Sequence, residues 1–137
     1  MTYPPDTREL LQLAAIALGA KYRAGSGMER VAPGADEWVA VGEPGIEFGH
    51  GKVIKPHIDN GDALLLAATL GIDILMPDAN QLPVVICKSG DVQKNITFLP
   101  HQRLEAVRRA ILLVAGELGR RILNKTPASA QPLNQQP

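Results

Sequence analysis

The C-terminal part of the chain carries one unbroken helical pattern, and the rest of the fold has to be built around it. In "PHQRLEAVRRAILLVAGELGRRILNK" the residues Leu104, Val107, Ile111, Val114, Leu118 and Ile122 recur at steps of three and four, the spacing that lines one face of a helix. These six define the expected buried stripe. A second helix is expected near the N-terminus. There Asp6 is placed to cap a helix beginning at Thr7, and Glu9 stands where a capping box requires it. Leu10, Leu11, Leu13, Ala14, Ala17 and Leu18 give it an apolar face, and Gly19 is suited to end it in a left-handed conformation. The phrase "LLLAATLGI" after Asp62 repeats this wording. It marks a third helix more simply than an internal duplication, because any Ala/Leu helix that stops at Gly before a strand reads this way.

Between the helices the texture is β-like. Residues 22 to 36 are punctuated by Gly, Pro and Ala and read as an exposed connection, followed by a short strand at "EWVAV". "GEPGIEFGHGKVIKP" suits one or two short strands joined by tight turns. Its glycines match neither a Walker loop nor a dinucleotide fingerprint: Ile46 and Val53 occupy Walker positions, and Ile54 stands where a third glycine belongs. "IDILM", "LPVVICK" and "QKNITFL", separated by turn-rich segments, outline a three-stranded antiparallel meander. The fold class expected is α+β, with about three helices packed on a mainly antiparallel sheet. One domain should span residues 1–124, and residues 125–137, rich in Pro, Gln, Ala and Ser, should form a disordered tail.

With 137 residues and 45% hydrophobic side chains, one core is affordable. Basic and acidic residues balance at 14 each, so no global field draws the chain onto nucleic acid or an anionic membrane. No apolar run is long enough to span a bilayer. The single cysteine and the absence of a signal-peptide pattern at "MTYPPDTREL" point to the cytoplasm.

Three groups invite a functional reading, each beside a structural one. His50, His57, Asp59 and Asp62 are suitable metal or acid/base groups, but their spacing fits no metal motif. Asp59 and Asp62 are better read as helix-start residues, with Pro56 holding Lys55 extended just before the cap. No metal and no cofactor are therefore expected. Cys87 lies in a strand with Val85 on its face, and a small buried residue explains it better than a nucleophile. Arg103, Arg108, Arg109, Arg120, Arg121 and Lys125 outnumber Glu105 and Glu117 along the last helix. That excess reads as a solvated face first and as a patch for a partner or phosphates second. With few aromatics for stacking, nucleic-acid binding is not expected. Trp38, the only tryptophan, is read as a core residue.

The segment "KPHIDNGDALLLAATLGI" and the terminal "EAVRRAILLVAGELGRR" together resemble the NinX-like small proteins of phages and prophages. The resemblance spans residues 7–121 in outline, although family members often carry Trp-Asn before the Pro where this chain has Ile54 and Lys55. It implies a phage or prophage origin and action in the bacterial cytoplasm, and it brings no catalytic residues. The leading expectation is thus a non-enzymatic accessory protein that binds a host protein, with a homodimer formed through the Ala- and Gly-containing face of the long helix. One alternative is a module sequestering a nucleotide-like small ligand through the glycine-rich loop, Lys52, Lys55, His57 and the terminal arginines. Another is a metal-dependent hydrolase using His50, His57 and Asp59.

Overall fold

A computed structural model describes residues 5–25, 27–30, 34, 36, 38–41, 43–48, 51–77 and 83–125. Among the described residues, three α-helices, α1 (Pro5–Leu18), α2 (Asn60–Leu70) and α3 (Arg103–Lys125), are joined by eight short strands. These are β1 (Lys21–Arg23), β2 (Gly27–Arg30), β3 (Trp38–Val41), β4 (Gly45–Glu47), β5 (Val53–Ile54), β6 (Asp73–Leu75), β7 (Val84–Ser89) and β8 (Val92–Thr97). Every pairing is antiparallel, so the chain is α+β. The strands divide into two three-stranded sheets, ordered β1-β4-β5 and β6-β7-β8, and a β2-β3 ribbon.

At 23 residues, α3 is about 34 Å long, and α1, α2 and the β6-β7-β8 sheet all pack against it. Its buried face differs from the expected stripe. Ala106, Ala110, Ile111, Leu112, Val114, Ala115, Gly116 and Gly119 are buried, whereas Leu104 and Ile122 are 58% and 45% exposed. Small residues take the covered positions because α1 lies almost on the helix backbone. A Cβ on Gly119 would sit 1.9 Å from the carbonyl oxygen of Leu13, and one on Gly116 would sit 2.6 Å from Leu10 Cδ2. Leu10 faces Gly116 and Leu13 faces Gly119, so the two helices run in the same general direction. The Ala- and Gly-containing face of α3 is consequently sealed inside the monomer, which removes it as the homodimer surface.

The helix ends follow local chemistry. Pro5, with its φ fixed near the helical value, opens α1, two residues before the expected start. This correction puts Asp6 inside the first turn rather than at the N-cap; its side chain lies outside the described residues. α1 and α2 both terminate at a glycine of positive φ, Gly19 at 70° and Gly71 at 69°. In each case the N–H of the next residue returns to a helix carbonyl, Ala20 to Ala15 at 2.8 Å and Ile72 to Ala67 at 2.8 Å.

Within residues 22–36, expected as a connection, lie strand residues of β1 and all of β2. β1 finds its partner in β4, more than twenty residues away, with Tyr22 opposite Ile46, and such a long-range pairing leaves no local alternation to read. Trp38 lies in β3 opposite Arg30; its side chain is outside the described residues. The glycine-rich stretch is the β4-β5 hairpin, in which Phe48 and Lys52 bond across the turn and Gly51 has φ 83°. In the β6-β7-β8 meander, Val85 and Cys87 are both buried. Residues 126–137, read as a tail, lie outside the described residues. No helix among the described residues is long and apolar enough to cross a membrane.

The seam makes a graded prediction. Gly119→Ala gains roughly 1 kcal/mol of helix propensity, but it forces α1 off α3, and overpacking of this kind costs about 1–3 kcal/mol or more. With a backbone oxygen as the obstacle, a net loss of about 2 kcal/mol is expected in urea unfolding. Gly116→Ala meets only the movable end of Leu10 and should cost clearly less. Equal losses would show that the Leu13 carbonyl does not set the spacing.

Candidate functional site

The turn that leads into α2 builds one wall of the site. Pro56 sits at the second position of a tight turn in which the Ile58 N–H donates to the Lys55 carbonyl at 3.1 Å. Asp59 caps α2 by accepting the Asp62 N–H at 2.8 Å, and Asp62 in turn accepts the Lys55 N–H at 2.8 Å. Both carboxylates thus spend an oxygen on backbone N–H groups at the positive end of the helix. From the other side Arg108 of α3 donates to the His57 carbonyl at 3.2 Å and to Asn60 Oδ1 at 2.6 Å. Residues 55–62 are thereby fastened to the middle layer of the fold.

This clasp holds the His57 ring inside the protein, where its side chain is only 5% exposed. Its Nε2 lies 3.4 Å from Oε1 of Glu43. Burial is the largest influence on its titration and lowers its pKa below the ordinary value; the nearby Glu43 carboxylate opposes this, and Lys55 and Arg108 add to it. Burial thus favours the neutral imidazole.

Beside His57 opens a chamber of about 500 Å³ at the head of α3. Its apolar surface comes from Ile96, Phe98, Ala106 and Leu112, and its polar surface from Thr7, Thr97, Gln102, Glu105 and Arg109 in addition to His57. Thr7 is a buried polar residue whose Oγ1 lies 3.4 Å from Arg109 Nη1. Glu105 is exposed and Arg109 half-buried. Gln102 accepts the Leu99 N–H at 3.3 Å, and Arg103 stacks 5.7 Å above the Phe98 ring, which together fix the entry to α3.

Of the residues singled out in the sequence, the structure gathers His57 and Arg109 at this chamber, with Arg108 behind them. Lys52 is exposed on the β4-β5 turn, and Lys55 belongs to the turn before α2. Neither lines the chamber. Arg120 and Arg121 lie towards the other end of α3. Arg121 pairs with Asp91 at 2.7 Å and Glu117 at 3.4 Å, and Arg120 approaches Glu117 at 3.8 Å and Glu9 at 3.9 Å. The Arg121 guanidinium, hydrogen-bonded to Asp91, holds that carboxyl below its usual range. The cation excess on α3 is therefore largely answered from α1, from the β7-β8 turn and from α3 itself, and the arginines do not converge on one ligand.

His50 lies outside the described residues, and no group of three His, Cys, Asp or Glu placed to hold a metal occurs among those described. Asp59 is committed to its cap. Cys87 is buried in β7, and burial pushes its thiol up to about 11, far from the reactive range. Sequence reasoning overlooked Thr7, Thr97 and Gln102, which carry no motif. It treated Glu105 only as a counter-charge, although its four-residue offset from Arg109 does signal a shared helix face. No protein-family model, curated protein or solved structure matches the chain.

The buried imidazole has a pH signature. Because its pKa is lowered in the folded state, the unfolded chain takes up a proton that the folded chain refuses as pH falls below about 6.5. Its stabilising share is present above that pH and is lost below it. Melting temperature should thus decline from about pH 7.5 to 5.5, and His57→Gln should flatten that decline while leaving the carboxylate-driven loss at lower pH. Parallel curves for the two proteins would show that His57 does not control this window.

Proposed function

We propose that the protein is a non-catalytic module that binds a small organic ligand in the chamber at the head of α3. The observation that carries this reading is the chamber itself. Its volume of about 500 Å³ lies within the range that accommodates small organic ligands, and it combines apolar walls with a few convergent polar groups. The lining favours holding over chemistry, since the Thr7 hydroxyl is engaged by Arg109, His57 is sequestered beside Glu43, and the buried Cys87 does not line the chamber. The resemblance of "KPHIDNGDALLLAATLGI" to NinX-like proteins would place such a module in a phage or prophage, acting on a host signal.

A second reading, docking to a host protein, is favoured by a different observation. α2 is apolar nearly all round, as helices that are covered on every side are, yet Leu64 is 60% exposed and Leu65, Leu75 and Met76 are exposed beside it. The only charge on α2 is Asp62, already bonded to Lys55.

Two variants separate these readings. In amide NMR, a fragment library should yield binders that shift Thr97, Phe98 and Arg109 and raise the melting temperature. Thr97→Trp, at the exposed rim, should block them without unfolding the chain. A library with no fragment mapping to these residues would sink the chamber reading. Leu64→Lys should leave fragment binding intact and abolish capture of a host protein from lysate; capture insensitive to it would remove α2 as the docking face.

A further inference from the structure

One lip of the chamber is an open sheet edge. β8 is the last strand in the order β6-β7-β8, and among the described residues no strand pairs with its outer side. The register shows which groups it presents there. Phe98 donates its N–H to the Pro83 carbonyl at 2.9 Å, and bonding alternates along an antiparallel pair, so Val92, Lys94 and Ile96 turn their backbone groups towards β7. Gln93, Asn95 and Thr97 turn theirs outward, along an edge that ends at the chamber rim.

The side chains on this strand add a pattern. Lys94 and Ile96 lie on the sheet face that backs α3, paired with the buried Cys87 and Val85, and Ile96 lines the chamber with Ala106 and Leu112. Lys94 is half-buried and makes no ion pair among the described residues. A strand added to this edge sets the residue opposite Ile96 on the same face, over the chamber. The residue opposite Lys94 then stands about 5 Å from it, Cβ to Cβ, where an opposite charge is stabilising and a like charge is not.

Resting on the chamber reading, we propose that the ligand is an extended peptide segment that pairs antiparallel with β8, placing a large apolar side chain in the chamber opposite Ile96 and an acidic one opposite Lys94. Because the strands run in opposite directions, the acidic residue follows the apolar one by two positions. Backbone bonds to Gln93, Asn95 and Thr97 supply affinity, and the chamber and Lys94 supply selectivity. A lysine on an edge also discourages pairing with other strands, so the charge that admits an acidic segment repels a basic one.

The test is calorimetric titration of the whole chain with acetyl-Ser-Thr-Phe-Thr-Glu-Thr-Ser-amide, joined to amide exchange of the complex. Binding should saturate, and exchange should slow at Gln93, Asn95 and Thr97 with little change at Lys94 and Ile96, which are already bonded to β7. Replacing the peptide's phenylalanine by alanine, or methylating the nitrogen of the threonine that follows it, should each weaken binding about tenfold or more. Lys94→Glu should reverse the preference between this peptide and its glutamate-to-lysine counterpart. Asn95→Pro removes an outward N–H without breaking a bond to β7, so it should abolish peptide binding while chamber fragments still bind. Amide spectra of both variants check that the fold is intact. An unchanged charge preference in Lys94→Glu, or a complex without the alternating exchange pattern, would overturn the edge assignment and leave the chamber reading standing. Absence of peptide binding would overturn it as well, and the fragment screen then decides separately whether the chamber binds anything.

Discussion

The contact on which the rest of the structure depends is the approach of the Leu13 carbonyl to Gly119. Around this close approach Ala14, Ala110 and Ala115 are buried together with Leu11, Ile111 and Leu112. The approach also fixes α1 relative to α3 along their length. Thr7, one turn before Leu10, is thereby delivered to Arg109, and the chamber opens at that end of the helix pair. A shift of the seam would move Thr7 relative to Arg109.

A second fixation acts on the opposite wall. Arg108 and Arg109 are adjacent in sequence but serve different neighbours: the first grips the α2 entry turn, and the second reaches Thr7. One helical turn thus ties both other helices to α3. The apolar packing behind it gives the larger share of stability, as it does in most domains, while these bonds determine where the entry turn rests. The cap formed by Asp59 and Asp62 makes the turn a rigid unit to be gripped.

The three helices and the β6-β7-β8 meander were legible because each announces itself within a short window: a 3.6-residue period, a terminal glycine, or alternation between turns. What lay beyond reading was non-local. β1 pairs with β4 across a stretch that contains the β2-β3 ribbon, and nothing in "KYR" declares that partner. Of the stripe read on α3, Ile111 and Val114 are buried and Val107 and Leu118 pack against the core, while Leu104 and Ile122 are exposed; the Gly and Ala that the close helix approach selects were not part of that reading. In the site, His57 drew attention by its chemistry and Arg109 by its charge. Thr7 and Thr97 are ordinary in sequence and become distinctive only when two helices and a strand end meet. The capping role of Asp59 was readable for the opposite reason, being settled within three residues.

The buried sulfur of Cys87 gives the protein an internal reporter. It is the only thiol in the chain, it is shielded at the centre of the sheet that backs α3, and it is held protonated with a pKa near 11. In the closed molecule it is silent towards reagents that need a thiolate. Each opening of the sheet, however brief, exposes it once. The rate at which a reagent marks the chain therefore follows the fraction of time the core stands open, and becomes the opening rate itself where labelling outpaces reclosing, with no second cysteine to confuse the signal.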